Sequence, residues 1–130
     1  GGLAAAAAAY FRHAWGNDPI IIVVEPESAP AIFNSIIAGK ATNTPGAVSN
    51  MGRLDCKEPS LIALKGLARD ADMFALISDE TAEQAMPVLS TKGLATTPSG
   101  GAGLAALLSG FPDIDQTSRV LCILSEESDT

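Results

Sequence analysis

Two stretches of this 130-residue sequence place glycine directly ahead of a helix-forming run. Gly1-Gly2 precedes the run Ala4 to Trp15, and Ser99-Gly100-Gly101-Ala102-Gly103 precedes Leu104 to Leu108. Free backbone N–H groups at a helix N-terminus attract anions, and glycine lets a ligand come close. Each stretch could therefore cradle a phosphate, or could simply permit a tight turn and close helix–sheet packing. A third stretch, Met51-Gly52-Arg53-Leu54-Asp55-Cys56-Lys57-Glu58-Pro59-Ser60, sets two carboxylates among apolar and small residues. Asp55 and Glu58 are candidates for acid–base work, while Glu58-Pro59-Ser60 also reads as the start of a helix. Ser125 closes the apolar run Arg119 to Leu124. Ligands of open α/β sheets bind at the carboxyl ends of strands, which would put this hydroxyl beside one. His13 is the sole histidine and lies mid-helix, so a metal site or a Ser-His pair would need it to act from a helix flank, and Cys56 and Cys122 form no zinc spacing. None of the lysines stands in a stretch suited to a buried Schiff-base amine.

The elements that must position these residues alternate between helix and strand. Ala4 to Trp15 is a strong helix former, stopped by Gly16-Asn17-Asp18-Pro19. Ile20 to Val24 is a β-branched strand buried on both faces, ended by Glu25-Pro26. Ser28 is expected to cap a helix reaching Ala38, with Gly39 as its stop. Residues 40 to 59 form a loop long enough to be functional or mobile. Ser60 to Ala71 is helical, with Leu61, Leu64, Leu67 and Ala68 on one face. Met73 to Ile77 is a strand, Asp79 caps a helix to about Leu89, and Arg119 to Leu124 is the last strand, with Cys122 in its core. This order argues an α/β fold, a parallel sheet with helices on both faces. With three strands and an opening helix that no strand feeds, residues 1–130 are expected to be a single segment of a larger domain.

Composition narrows the function. Apolar residues make up 47 %, enough for a core, and the net charge of −7 argues against nucleic acid, whose phosphates need clustered Lys and Arg. The longest apolar run, Leu3 to Phe11, falls well short of a membrane span of about 20 residues. Two cysteines form no disulfide framework, and no basic n-region precedes Leu3, which points to the cytoplasm.

Taken in order, the motifs resemble the C-terminal part of the fold type II pyridoxal-phosphate enzymes, the tryptophan synthase β superfamily. Within it they most resemble diaminopropionate ammonia-lyase. Gly1-Gly2-Leu3-Ala4 is similar to the tail of the cofactor's phosphate loop, and Val24-Glu25-Pro26 to the superfamily's strand-end signature. Met51 to Leu61 resembles the lyase loop of Gly-Leu-x-Cys-Gly-Glu-Pro-Ser type. Pro98 to Leu104 is similar to the Glu-Ser-Gly-Ala-Ala-Gly motif, and Leu121 to Ser125 to the strand whose terminal hydroxyl faces the pyridine nitrogen. Lys57 and Glu127 stand where glycine is usual, and Thr97 replaces an acidic residue.

The resemblance implies pyridoxal 5'-phosphate as cofactor, bound by Gly1 and Gly2 at its phosphate and Ser125 at its ring nitrogen. Met51, Gly52 and Glu58 would line the substrate side. It implies α,β-elimination on an amino acid such as 2,3-diaminopropionate, giving a keto acid and ammonia, in a homodimer completed by the rest of the enzyme. Residues 1–130 would be one incomplete segment of the cofactor-binding domain, lacking the N-terminal half of the enzyme, and the Schiff-base lysine would lie in that half, outside this sequence, leaving the segment alone inactive. The alternatives are a threonine dehydratase, threonine synthase or cysteine synthase relative, or a non-catalytic phosphate-binding α/β module.

Overall fold

The computed structural model describes residues 1–129; Thr130 lies outside them. Helix α1 spans Gly2–Trp15, strand β1 Ile22–Pro26, α2 Ala31–Ala38, α3 Leu61–Asp70, β2 Met73–Ile77, α4 Asp79–Thr91 and α5 Ala102–Ser109. A single 3₁₀ turn, Gly52–Leu54, interrupts the long loop before α3.

The two strands pair in parallel, Ile22 opposite Met73 through Pro26 opposite Ile77. Side chains alternate across a strand, so Val23 and Phe74 share one face while Val24 and Ile77 share the other. On the first face Val23 joins Ala8, Ile32 and Leu67, from α1, α2 and α3. On the second, Ile77 joins Met51, Ala82, Ala85, Ala102, Ala105 and Ala106, from the loop, α4 and α5. Helices thus cover both faces of a parallel pair, the expected α/β architecture. Alanine is what lets them sit close: at Gly101 even a Cβ would lie 2.9 Å from Met86 Cε and from Thr96 Cγ2.

Arg12 fixes how α1 meets the sheet. Its Nε donates to Asp70 O at 3.0 Å, one terminal nitrogen to Pro19 O at 2.8 Å, and the other pairs with Asp72. Asp72 also accepts from Ile21 N–H at 2.7 Å. That backbone bond, helped by Arg12, holds its carboxyl below the usual range.

Several expectations change. Strand β1 starts later than Ile20 and runs through Pro26. The proline's missing donor is tolerated at the strand's last residue, and Glu27 N–H supplies the next bond, to Ile77 O at 2.8 Å. Ser28 does not cap α2. The Glu25 carboxylate does so from β1, accepting from Ile32 N–H at 3.0 Å and Phe33 N–H at 2.7 Å. Ser78, not Asp79, caps α4, accepting from Thr81 N–H at 3.1 Å. Ser60 caps α3 as a helix start should.

The largest correction concerns Arg119 to Leu124, which is not a strand. Residues 121 to 129 alternate between exposed and half-buried, as an extended chain does, with Cys122, Leu124 and Glu126 turned inward and Ser125 outward. No ladder forms to β1 or β2, and a strand exists only through a neighbour's backbone groups. Side chains hold this tail instead: Thr96 Oγ1 donates to Glu126 O at 2.6 Å. Cys122 is accordingly half-buried rather than a core residue, and burial pushes its thiol up.

Leu67 is wholly buried under the first face of the sheet. Leu67→Ala should cost about 3 kcal/mol in urea unfolding, from lost transfer energy plus the cavity left behind. A loss under about 1 kcal/mol would place Leu67 outside the cooperative core.

Candidate functional site

The loop of residues 40–59 lies across the carboxyl ends of both strands and is pinned there. Near its start, Thr42 N–H donates to Ser35 Oγ at 2.9 Å. At its centre, Ser49 Oγ donates to Asp79 Oδ1 at 2.5 Å and Asn50 N–H to Asp79 Oδ2 at 2.9 Å, which ties the loop to the first turn of α4. Asn50 also bonds Glu83. Toward its end, Lys57 bonds the backbone just beyond β1. A loop expected to be functional or mobile is therefore held at three places.

Two recesses flank it. The larger, about 430 Å³, is polar and lined by Asn50, Gly52, Arg53, Thr97, Ser99 and Glu126 among others. Arg53 is tied to two of its other lining residues. Its backbone N–H donates to Ser99 Oγ at 3.0 Å, and its guanidinium Nε sits 2.7 Å from Glu126 Oε1. Thr97 donates to the other Glu126 oxygen, and its hydroxyl accepts from Gly100 N–H at 3.0 Å. The Arg53 side chain is 81 % exposed, so the ion pair contributes little stability and leaves much of the guanidinium in water.

The smaller recess, about 70 Å³, is mostly apolar. Gly1, Val23, Glu25, Ile32, Leu54 and Cys56 line it, and Arg53 borders it as well. Burial raises the Glu25 carboxyl above its ordinary 4.5, against the lowering effect of the two α2 N–H bonds.

The expected residues divide between these places. Gly52 lies in the polar cleft and Gly1 in the apolar recess. Helix α1 starts with no side-chain cap and no acidic residue in its first turn, so its first N–H groups are open to an anion. A Cβ at Gly2 would meet nothing within 4 Å, whereas at Gly1 it would come within 3.2 Å of Ala63 Cβ. The α1 terminus thus fits a phosphate group, with Gly1 as the packed residue and Gly2 the open one. The Ser99 to Gly103 turn fits one less well. A Cβ at Gly100 would lie 2.6 Å from Thr96 Oγ1 and 2.9 Å from Glu126 Cβ, so Gly100, like Gly101, serves close packing.

Three residues fall elsewhere. Met51 is wholly buried in the α4–α5 core and borders neither recess, because its backbone is drawn inward through Ser49. Glu58 is exposed and also borders neither. Ser125 is exposed on the outer side of the tail, and it is Glu126 that reaches the cleft. Arg53, Thr97 and Glu126 line the polar cleft and Glu25 the apolar recess, and sequence reading placed none of the four at a site. The Val-Glu-Pro step was the one available signal for Glu25.

Among the described residues, no helix is long and apolar enough to cross a membrane. No group of three or more His, Cys, Asp and Glu among them is arranged to hold a metal.

Residues 1–126 match the model of the family described as pyridoxal-phosphate dependent enzyme. In structure the chain is similar to a threonine deaminase from T.th., with a TM-score of 0.79 at 24 % identity over 89 % of this chain and 42 % of that one. It is similar to maize serine racemase, with a TM-score of 0.78 at 25 % identity over 85 % and 33 % of the two chains. It is also similar to a fungal L-serine ammonia-lyase from Rhizomucor miehei, with a TM-score of 0.80 at 19 % identity over 95 % and 41 %. The chain therefore spans less than half the length of each of these structures. No curated protein matches its sequence.

The buried Glu25 carboxyl gives a signed pH effect. Its folded value lies above the unfolded 4.5, so its contribution is complete below that pH and is lost as pH rises through the folded value. The stability of the parent relative to Glu25→Gln should therefore fall as pH rises through that interval, in urea titrations at a series of pH values. Parallel profiles or the opposite slope would show that burial does not dominate at Glu25.

Proposed function

The chain belongs to the family of pyridoxal-phosphate dependent enzymes, and on that premise we propose that it forms part of an ammonia-lyase. The reaction is α,β-elimination on a diamino acid such as 2,3-diaminopropionate, yielding a keto acid and ammonia. The observation that carries the cofactor end of this reading is the uncapped, acid-free N-terminus of α1. The lyase end rests on the loop Met51 to Ser60 and its likeness to the lyase motif.

In this reading the N–H groups that follow Gly1 and Gly2 bind the cofactor phosphate. When bound, pyridoxal 5'-phosphate supplies an electron sink for the amino acid's α-carbon. Gly52 opens space on the substrate side, and Arg53, steadied by Glu126 and Ser99, orients an anionic group there. Glu58 and Met51 serve that side through the loop, Met51 by anchoring it in the core. Ser125 remains the proposed contact of the ring nitrogen on the strength of its place in the motif order. The lysine that would bind the cofactor covalently is assigned to the rest of the enzyme, which makes residues 1–130 alone inactive. The complete enzyme is proposed as a cytoplasmic homodimer.

The second reading is a dehydratase of threonine or serine, favoured by the names of the similar structures, a threonine deaminase and an L-serine ammonia-lyase. Stoichiometry separates the two. Eliminating a β-amino group and hydrolysing the resulting enamine releases two ammonia per keto acid, whereas a β-hydroxyl substrate releases one. The complete protein, supplied with pyridoxal phosphate, should favour 2,3-diaminopropionate over threonine and serine and give the two-to-one ratio. Turnover of threonine or serine alone would overturn the diamino-acid reading and establish the second.

The phosphate assignment has its own test. Gly2→Asp has room for its side chain, and an acidic first-turn residue should stabilise α1 by about 0.3–1 kcal/mol. In the complete protein the same charge should repel the cofactor phosphate and weaken its binding roughly tenfold or more. Unchanged cofactor affinity in that variant would remove the α1 terminus from the site.

A further inference from the structure

The Lys57 ammonium carries three hydrogens, and three oxygens from three stretches of chain receive them. Ser28 O lies at 2.8 Å, Ala47 O at 2.6 Å and Asp55 Oδ1 at 2.6 Å. Ser28 follows β1, Ala47 lies mid-loop, and Asp55 follows the 3₁₀ turn. The backbone of Lys57 is used as well: its carbonyl accepts from Thr44 N–H at 2.7 Å and from Thr44 Oγ1 at 3.2 Å. The loop lies so close to the Ser28 carbonyl that a Cβ at Gly46 would stand 2.9 Å from that oxygen. Ser28 Oγ is buried with no partner at this same residue. The pair of charges is largely covered, at 27 % and 16 % side-chain exposure for Lys57 and Asp55.

We propose that these oxygens form a monovalent-cation cage whose resident ion is the tethered ammonium of Lys57, and that this ion positions the 51–58 loop. The chemistry of the cage selects the ion. Its distances, 2.6 to 2.8 Å, exceed the roughly 2.0–2.1 Å of Mg²⁺, lie at or beyond the long end of the roughly 2.3–2.6 Å of Ca²⁺ contacts, and suit an ammonium-sized ion. Two neutral carbonyls and a single carboxylate balance one positive charge, not two. Emptied by truncation of Lys57, the cage would take free ammonium or potassium. The proposal stands independently of the reaction assigned above.

The test is chemical rescue in the complete protein. Lys57→Ala in choline chloride should melt several degrees below the parent, and trypsin should cut after Arg53 several-fold faster. Ammonium or potassium chloride at the same ionic strength should restore both readings saturably, while the parent responds to neither salt. Recovery no greater in ammonium or potassium than in choline would overturn the cage. If Lys57→Ala does not fold, the parent decides by reductive methylation read by mass spectrometry. Lys57 should then react several-fold more slowly than the exposed Lys40, Lys65 and Lys92, and equal rates would overturn the proposal.

Discussion

A parallel pair of five-residue strands cannot stand in water by itself. Both faces are apolar, and the crossover that joins parallel strands must pass over one of them. Every helix in the chain answers this constraint. Helices α1, α2 and α3 close one face through Ala8, Ile32 and Leu67, and α4 and α5 close the other through their alanines. Small side chains make two-sided cover possible over so narrow a sheet, because they bring the helix backbones close enough to exclude water. Arg12 then locks the arrangement at the amino ends of the strands, where α1, the approach to β1 and the end of α3 meet.

The opposite edge is built from polar groups. At the carboxyl ends of the strands, the backbone after β1 receives Lys57, and the first turn of α4 after β2 receives Ser49 and Asn50. One loop thus reads the positions of both strands at once. Arg53, carried by that loop, borders both the polar cleft and the apolar recess. Glu25 belongs to the same edge: a carboxylate from a strand completes the helix that follows it, at the cost of burying its charge.

Much of the frame was legible in the sequence because it rests on local pattern. Met73 to Ile77 is an apolar run with an aromatic residue and a definite end, and it is a strand over those residues. Ser60 caps α3 because a hydroxyl before an apolar helix has one good use. The tail was not legible for the converse reason. Arg119 to Leu124 has the composition of a strand, but strand formation depends on a neighbour, which composition does not reveal. The exchange of cap from Ser28 to Glu25 is also non-local in character, since it turns on where β1 aims its carboxylate. Within the candidate site, Gly1 was singled out through the backbone freedom that glycine announces, and Gly52 through the likeness of its loop to a family motif. Arg53, Thr97 and Glu126 were not, because their meeting brings together residues far apart in the chain, and no spacing encodes it.

Four of the glycines show two different freedoms to vary. Gly100 and Gly101 are walled in, each with side-chain atoms within 3 Å of where a Cβ would stand. Folding alone forbids substitution there, so invariance at those positions in any set of related sequences carries no message about ligands. Gly2 and Gly52 face open space and have no left-handed backbone to protect. The fold would accept alanine at either. Selection that nevertheless kept glycine at both would be the imprint of a molecule other than the protein itself.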